Sequence, residues 1–134
     1  MTEVVLDASV VLKWFTPGEE PGRSEARALR RDYDAGHLTV VVPGLFFLEL
    51  LNVAGRRWGW DGPALRELAD DLDDLLFDTA EPELPSVATW IARGLTAYDA
   101  AYVALAEERS ISLVTADDGI LKLAGTIARP LVPH

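Results

Sequence analysis

The chain has 134 residues, 49% of them hydrophobic and 25% charged, which excludes disorder and predicts one domain over residues 1–134. Its net charge of −10 excludes a nucleic-acid-binding domain that relies on bulk positive charge. The charge does not exclude an enzyme that uses acidic residues to bind metal and a few arginines to bind phosphate. It contains no cysteine and only two histidines, which excludes disulfides, thiol catalysis and a histidine-rich metal site.

No targeting or membrane-spanning segment is predicted from the sequence. The first residues lack the basic stretch and long apolar stretch of a signal peptide. The longest nearly apolar run, residues 40–55, is interrupted by Pro43, Gly44 and Glu49 and is too short to span a bilayer. We therefore expect a cytoplasmic protein that has no contact with a membrane.

Strands and helices alternate along the predicted secondary structure. Short β-branched runs indicate strands, and apolar residues at helical spacing between turn residues indicate helices. In chain order, the predicted elements are a strand at 4–6, helices at 8–15 and 24–36, a strand at 37–42, helices at 44–58 and 62–76, a short strand around Phe77, helices at 85–94 and 97–109, a strand at 112–115, a helix at 117–124 and a last strand at 126–132. The alternation predicts an α/β fold with a mostly parallel sheet, whose ligand site lies at the carboxyl ends of strands.

Four acidic residues lie at or near these strand ends. Asp7 closes the first strand, and Asp117 follows the strand at 112–115. Glu49 lies in the helix after the second strand, and Asp99 lies one turn into the helix at 97–109. In a parallel sheet, all four side chains are expected to reach the same crevice.

Each of the four acids also has a simpler explanation. Asp7 and Asp117 are suited to cap the helices that follow them, and Asp99 completes a capping box that begins at Thr96. Glu49 is the only charged residue in the apolar run, so burial without a partner would be costly, and a surface position beside Asn52 is its alternative.

Together, the four carboxylates predict a cation site. At a separation of ~5 Å and an effective dielectric constant of ~20, each pair of carboxylates repels by about 3 kcal/mol. Such a cluster must bind protons or cations, and a set of oxygen ligands suits Mg²⁺ or Mn²⁺. Ser9 and Thr115 add neutral oxygens beside two of the acids, which would orient ligands or water.

Four segments resemble the motifs of a known family in their order and spacing, namely VVLDASVVLKW, VPGLFFLELLNV, LTAYDAAYVALAEE and LVTADDGIL. The family is that of the PIN-domain ribonucleases, and the segments are most similar to VapC-type toxins of VapBC toxin–antitoxin systems. Its functional positions correspond to the four acids and to nearby polar side chains: Asp7, Glu49, Asp99 and Asp117, with Ser9, Asn52 and Thr115 in support. The motif selects Asp117 ahead of its neighbour Asp118 for the last acidic position.

The resemblance implies a doubly wound sheet of about five parallel strands with helices on both faces. It also implies an endoribonuclease that depends on Mg²⁺ or Mn²⁺, a homodimer and a cognate antitoxin. Water activated by metal would hydrolyse the phosphodiester bond and leave a 5′-phosphate. Asp7, Asp99 and Asp117 would be the main metal ligands, and Glu49 would bind metal or accept a proton.

Contacts to RNA and to a protein partner are predicted from side chains around the crevice. Lys13, Arg56 and Arg57 could contact phosphates, with Trp58 and Trp60 available to stack on a base. Alternatively, the two arginines complement the end of a helix and the tryptophans pack locally.

An apolar groove on the first helices is a further hypothesis. Val11, Trp14 and Phe15 could receive an amphipathic antitoxin segment, unless they belong to the core.

Other functional classes fit the sequence less well. A receiver-type signalling domain would need a lysine after a late strand, and residues 126–134 contain none. A phosphatase of the haloacid-dehalogenase type would need an acid at the position of Ser9. A catalytically silent PIN-like scaffold that binds a protein partner stays open as an alternative.

Overall fold

Residues 2–131 are described by a computed structural model, in which they form five strands and seven helices. In chain order these are β1 (Thr2–Leu6), α1 (Ala8–Phe15), α2 (Arg23–Asp34), β2 (Leu38–Val42), α3 (Leu45–Arg56), α4 (Gly62–Asp74), β3 (Asp78–Thr79), α5 (Leu84–Ala92), α6 (Ala97–Arg109), β4 (Ser112–Thr115), α7 (Asp118–Leu123) and β5 (Ala128–Pro130).

The five strands form one sheet in the order β3-β2-β1-β4-β5, and all four pairings are parallel. The chain moves outward from β1 to β3 on one side, and then from β4 to β5 on the other. Because parallel crossovers are right-handed, this order places α1 to α4 on one face of the sheet and α5 to α7 on the opposite face. The predicted α/β fold with a doubly wound sheet is therefore confirmed.

The core lies on both faces of the central strands. Val4, Val5 and Leu6 of β1 are fully buried, and β2 is apolar and buried over residues 40–42. Such runs are expected of parallel strands that are covered by helices on both sides. Helix α6 packs against β1 and β4 and is buried along residues 100–106, because its alanines allow close approach to the sheet.

The sequence-based bounds are least accurate where edge strands are short. The strand predicted around Phe77 comprises only Asp78–Thr79, and Phe77 itself is buried against Trp14 and Phe46. The last strand, predicted at 126–132, is observed at Ala128–Pro130, because the amide of Ile127 still bonds back to the carbonyl of Ala124 in a turn. Val132 lies outside the described residues.

The predicted apolar groove on the first helix is wrong for two of its three residues. Val11 is fully buried, and Trp14 is 8% exposed and donates a 2.7 Å hydrogen bond from Nε1 to the carbonyl oxygen of Ala26. Both belong to the core, because α1 is covered on one side by the sheet and on the other by α2. Phe15, by contrast, is only partly buried.

The position of Lys13 also differs from the predicted RNA contact. Its ammonium group is buried, lies 2.8 Å from Glu20 Oε1 and donates to the carbonyl oxygen of Pro21 at 2.7 Å. These bonds hold the loop between α1 and α2 and leave the ammonium group unavailable to a phosphate. In the part of the chain that the structure describes, residues 2–131, no helix is both long and apolar enough to cross a membrane.

Candidate active site

The topology brings the four predicted acids to one edge of the sheet. Helices α1, α3 and α7 begin just after β1, β2 and β4, whereas α6 ends just before β4 and therefore begins at the opposite end of that strand. The first turns of all four helices thus lie at the carboxyl edge. Asp7, Glu49, Asp99 and Asp117, here called the carboxylate cluster, lie at or near these helix starts.

Asp7 is the most buried member of the carboxylate cluster, at 4% exposure. The hydroxyl groups of Ser9 and Thr115 donate hydrogen bonds to its two carboxylate oxygens. Ser9 Oγ also accepts from the amide of Ala116 at 3.0 Å, and Thr115 Oγ1 accepts from the amide of Asp117 at 2.9 Å. The loop after β4 therefore orients both hydroxyls toward Asp7. Asp7 occupies the N-cap position of α1, but its side chain forms no capping hydrogen bond at good geometry, so the capping alternative holds for its position alone.

The two other capping alternatives are confirmed in part. Asp117 caps α7, because its Oδ1 accepts from the amide of Ile120 at 2.9 Å. In α6 the cap is the hydroxyl oxygen of Thr96, which accepts from the amide of Asp99 at 3.1 Å and does not require the Asp99 carboxylate. The charge that acts on both Asp7 and Asp99 is that of Asp117, while Asp118 is exposed on α7.

Glu49 is half-buried, and its Oε1 atom is buried without a hydrogen-bond partner. The hydroxyl group of Tyr102 is close enough to lower the pKa of Glu49. However, neither this hydroxyl oxygen nor Oε1 of Glu49 has a partner at good hydrogen-bond geometry. We did not predict a role for Tyr102 from the sequence. Its spacing of three residues from Asp99 on an alanine-rich helix was the available signal, because residues three apart share a helix face.

Burial and mutual repulsion raise the pKa values of three of the acids. Burial raises the pKa of Asp7 to about 6, although the hydroxyls of Ser9 and Thr115 oppose the shift. Burial, and then the charges of Asp99 and Asp7, raise the pKa of Glu49 to about 7. The pKa of Asp99 is also raised, by burial and by Asp117. Such a cluster is stabilised by protons or by cations.

The carboxylate cluster does not form a ready set of direct metal ligands. Within residues 2–131, no three acidic or histidine side chains are placed so that they could hold one metal ion between them. The donor set nevertheless fits a hard cation, since Mg²⁺ keeps several water ligands and commonly uses only one or two carboxylates. The Oε1 atom of Glu49 is buried and has no hydrogen-bond partner. It could bind such a hydrated ion directly or accept a hydrogen bond from one of the ion's water ligands.

Next to the carboxylate cluster lies a cleft of about 1000 Å³ between α3 and the start of α6. Glu49 and Asp99 line it together with Asn52 and Arg56, whereas Arg57 is exposed at the end of α3. The rings of Trp58 and Trp60 lie 5.3 Å apart and pack against the core, as expected from the local-packing alternative.

Without metal, we expect the stability of the protein to fall as the pH rises from about 4 to about 7. A carboxyl group with a raised folded pKa binds its proton more tightly when folded. Its contribution to stability is therefore lost between the unfolded and folded pKa values, 3.8 and about 6 for Asp7, and 4.5 and about 7 for Glu49. Thermal melts in EDTA measure this, and Asp7→Asn should reduce the slope. A melting temperature that rises with pH over this range would contradict the burial of these acids.

The fold matches known proteins over most of their length. The family model of the PIN domain matches residues 4–126. The crystal structure of PAE2754 from Pyrobaculum aerophilum is 22% identical, with a TM-score of 0.67 and coverage of 97% of this chain and 90% of that chain.

Two further structures share the fold. FitAB bound to an IR36 DNA fragment is 17% identical, with a TM-score of 0.66 and coverage of 98% of both chains. FitAcB from Neisseria gonorrhoeae is 17% identical, with a TM-score of 0.61 and coverage of 93% of this chain and 95% of that chain. No curated protein sequence matches the chain. With a family model that spans nearly all of its described residues, the chain belongs to the PIN domain family.

Proposed function

We propose that the protein is a metal-dependent endoribonuclease and the toxin of a toxin–antitoxin pair. PIN domains are generally nucleases, and those nucleases generally use divalent metal ions. The observation that best supports the proposal is the carboxylate cluster, in which acids from four separate segments meet at one edge of the sheet. Burial, and then the charges of the neighbouring acids, raise the pKa values of Asp7, Glu49 and Asp99. It lies where β1 and β4 are neighbours and their following helices cover opposite faces, which is the usual ligand position in such sheets.

The chain's own side chains would divide the work of phosphodiester hydrolysis. Asp7, held by two hydroxyls, would hold a hydrated cation together with Asp99 and Asp117, in part through water molecules. A bound Mg²⁺ or Mn²⁺ supplies positive charge for the phosphate and for the leaving oxygen. Glu49, which lines the cleft beside Asp99, would accept a proton from the attacking water. Attack by water would leave a 5′-phosphate and a 3′-hydroxyl group.

A catalytically silent scaffold is the second candidate function. Such a scaffold would need the fold but not the acids. A buried carboxylate without a partner destabilises a folded protein, so a scaffold would gain nothing from keeping one. Glu49 has such an oxygen, and the cluster around it raises its pKa further. The cost of keeping these acids therefore favours an active site.

We propose that the antitoxin binds a second surface, the acid-rimmed groove between the end of α1, α2 and α4. Two adjoining cavities of about 490 and 390 Å³ share Phe15 and Asp71 as lining residues. The apolar lining includes Leu68 and Leu75, and five acids surround it: Asp34, Asp61, Glu67, Asp71 and Asp74. A basic amphipathic segment complements both features. The homodimer that the family resemblance implies, and the expected cytoplasmic location, are part of the same proposal.

Mn²⁺ should raise the melting temperature of the protein. An ion that binds only the folded state at tenfold over its Kd stabilises by about 1.4 kcal/mol, or roughly 3–5 °C for a domain of this size. Melts with MnCl₂ and with EDTA at matched ionic strength measure the shift. The Asp7→Asn/Asp117→Asn double variant should lose it, whereas Asp73→Asn, an exposed change on α4, should keep it. An equal shift in the double variant would contradict a specific site.

A further inference from the structure

The cleft beside the carboxylate cluster has an apolar wall that the hydrolysis does not require. The wall includes Leu48 of α3, Trp60 of the loop after α3, and Tyr98 of α6. Leu48 is 69% exposed and Tyr98 is 64% exposed, although both are large side chains. Exposed apolar surface that lines a cleft is typical of a ligand-binding site. The same cleft includes Glu49 and Asp99, so it is continuous with the carboxylate cluster.

Tyr98 is mostly exposed and is not part of the core. It directly precedes Asp99 in the first turn of α6, while Tyr102, one turn later, is 1% exposed and belongs to the core. Tyr98 and Tyr102 lie about one turn apart along α6. Tyr98 is exposed because α6 starts at the edge of the sheet, and Tyr102 is buried because it lies one turn further along the helix. The ring of Tyr98 is thus free to contact a ligand that reaches Asp99.

The cleft combines a cation with aromatic rings, which are the groups that contact the phosphate and the base of a nucleotide. Arg56 lines the same cleft and provides a cation beside two carboxylates. A phosphate could contact the guanidinium group, and a base could stack on an aromatic ring, whatever its sequence. A base within a duplex is stacked on its neighbours and cannot enter a cleft of this kind.

We propose that this cleft is a nucleobase subsite, in which an unpaired RNA base beside the scissile phosphate stacks on Tyr98 and a flanking phosphate contacts Arg56. The inference rests on the proposed nuclease function. It adds a substrate-binding residue, Tyr98, that is not among the functional positions implied by the family resemblance.

The test compares Tyr98→Ala, Tyr98→Phe and Leu84→Ala, the last a change of an exposed leucine on α5 outside the cleft. The substrate is a short single-stranded RNA oligonucleotide whose cleavage site has been mapped with the wild-type protein. We expect Tyr98→Ala to raise KM roughly tenfold or more, because loss of one stacked base has about that effect. Tyr98→Phe should retain the wild-type KM, and Leu84→Ala should change neither KM nor kcat. All three variants should melt like the wild type.

A second arm identifies the group that contacts the ring. The same oligonucleotide is prepared with one abasic nucleotide next to the cleavage site. Loss of that base should raise KM for the wild type by the same factor as Tyr98→Ala, and should have little further effect on Tyr98→Ala. Additive losses, or an unchanged KM for Tyr98→Ala, would overturn the subsite. If Tyr98→Ala instead weakens only antitoxin binding, the cleft is a protein-docking surface and the inference is wrong. If the wild type cleaves no RNA at all, the proposed function fails as well.

Discussion

Replacement of Trp14 by alanine should destabilise the protein by about 3–5 kcal/mol, the usual cost of removing a buried tryptophan side chain. The indole ring is 8% exposed, lies edge-on to Phe77 at 6.1 Å and donates a hydrogen bond to the carbonyl oxygen of Ala26. The variant would leave a cavity and remove a side-chain hydrogen bond between α1 and α2. We expect a fall in melting temperature of roughly 10–15 °C, measured by circular dichroism.

Phe15→Ala is the matched control, because the two residues are neighbours with different surroundings. Phe15 is partly buried and lines the acid-rimmed groove, with the guanidinium group of Arg30 5.8 Å from its ring centre. Its replacement should cost less stability than that of Trp14, yet weaken antitoxin binding by about tenfold or more, as for a partner anchor. A Trp14→Ala protein that melts like the wild type but binds antitoxin poorly would restore Trp14 to the partner surface.

Most of the fold could be predicted because local signals agreed with one another. Asp7 and the turn after Phe15 limit α1, and Thr96 begins α6, so both helices are observed at their predicted bounds. The alternation of strands and helices then left a parallel sheet as the simplest arrangement. The edge strands were harder to predict, since β3 and β5 have only two and three residues and depend on their neighbours for pairing.

The surroundings of α1 could not be predicted from its sequence. A helix of eight residues with several apolar side chains has more than one face that could be buried. In the structure the sheet covers one face and α2 another, so Val11 and Trp14 are both in the core. Lys13 depends in the same way on tertiary contacts, because its partner Glu20 lies in a loop that folds back on the helix.

The location of the candidate site could be predicted from the sequence, but the hydrogen bonds and packing around its acids could not. The carboxyl edge of a parallel sheet was sufficient to bring Asp7 and Asp117 together. The orientation of the Thr115 hydroxyl toward Asp7 links residues 108 apart in sequence and depends on a backbone amide in the loop after β4. The buried hydroxyl of Tyr102 beside Glu49 depends on the packing of α6 against β1 and β4, which no local pattern specifies.

Asp7→Asn should abolish nuclease activity without loss of the fold. The change removes a carboxylate from the centre of the cluster, where even residues that support metal ligands typically contribute about 10- to 100-fold. We expect cleavage to fall by about 100-fold or more. Burial raises the pKa of Asp7 to about 6, so its charged form destabilises the folded protein at neutral pH. Removal of this charge should leave the metal-free melting temperature at neutral pH unchanged or higher.

The most direct test is the rate of Mn²⁺-dependent cleavage of single-stranded RNA by the wild type, Asp7→Asn and Asp73→Asn at equal concentration. Asp73 is exposed on α4 and tests whether any loss of negative charge affects the rate. We predict equal rates for the wild type and Asp73→Asn, and a loss of about 100-fold or more for a folded Asp7→Asn protein. Full cleavage by Asp7→Asn would contradict the assignment of the carboxylate cluster as the active site.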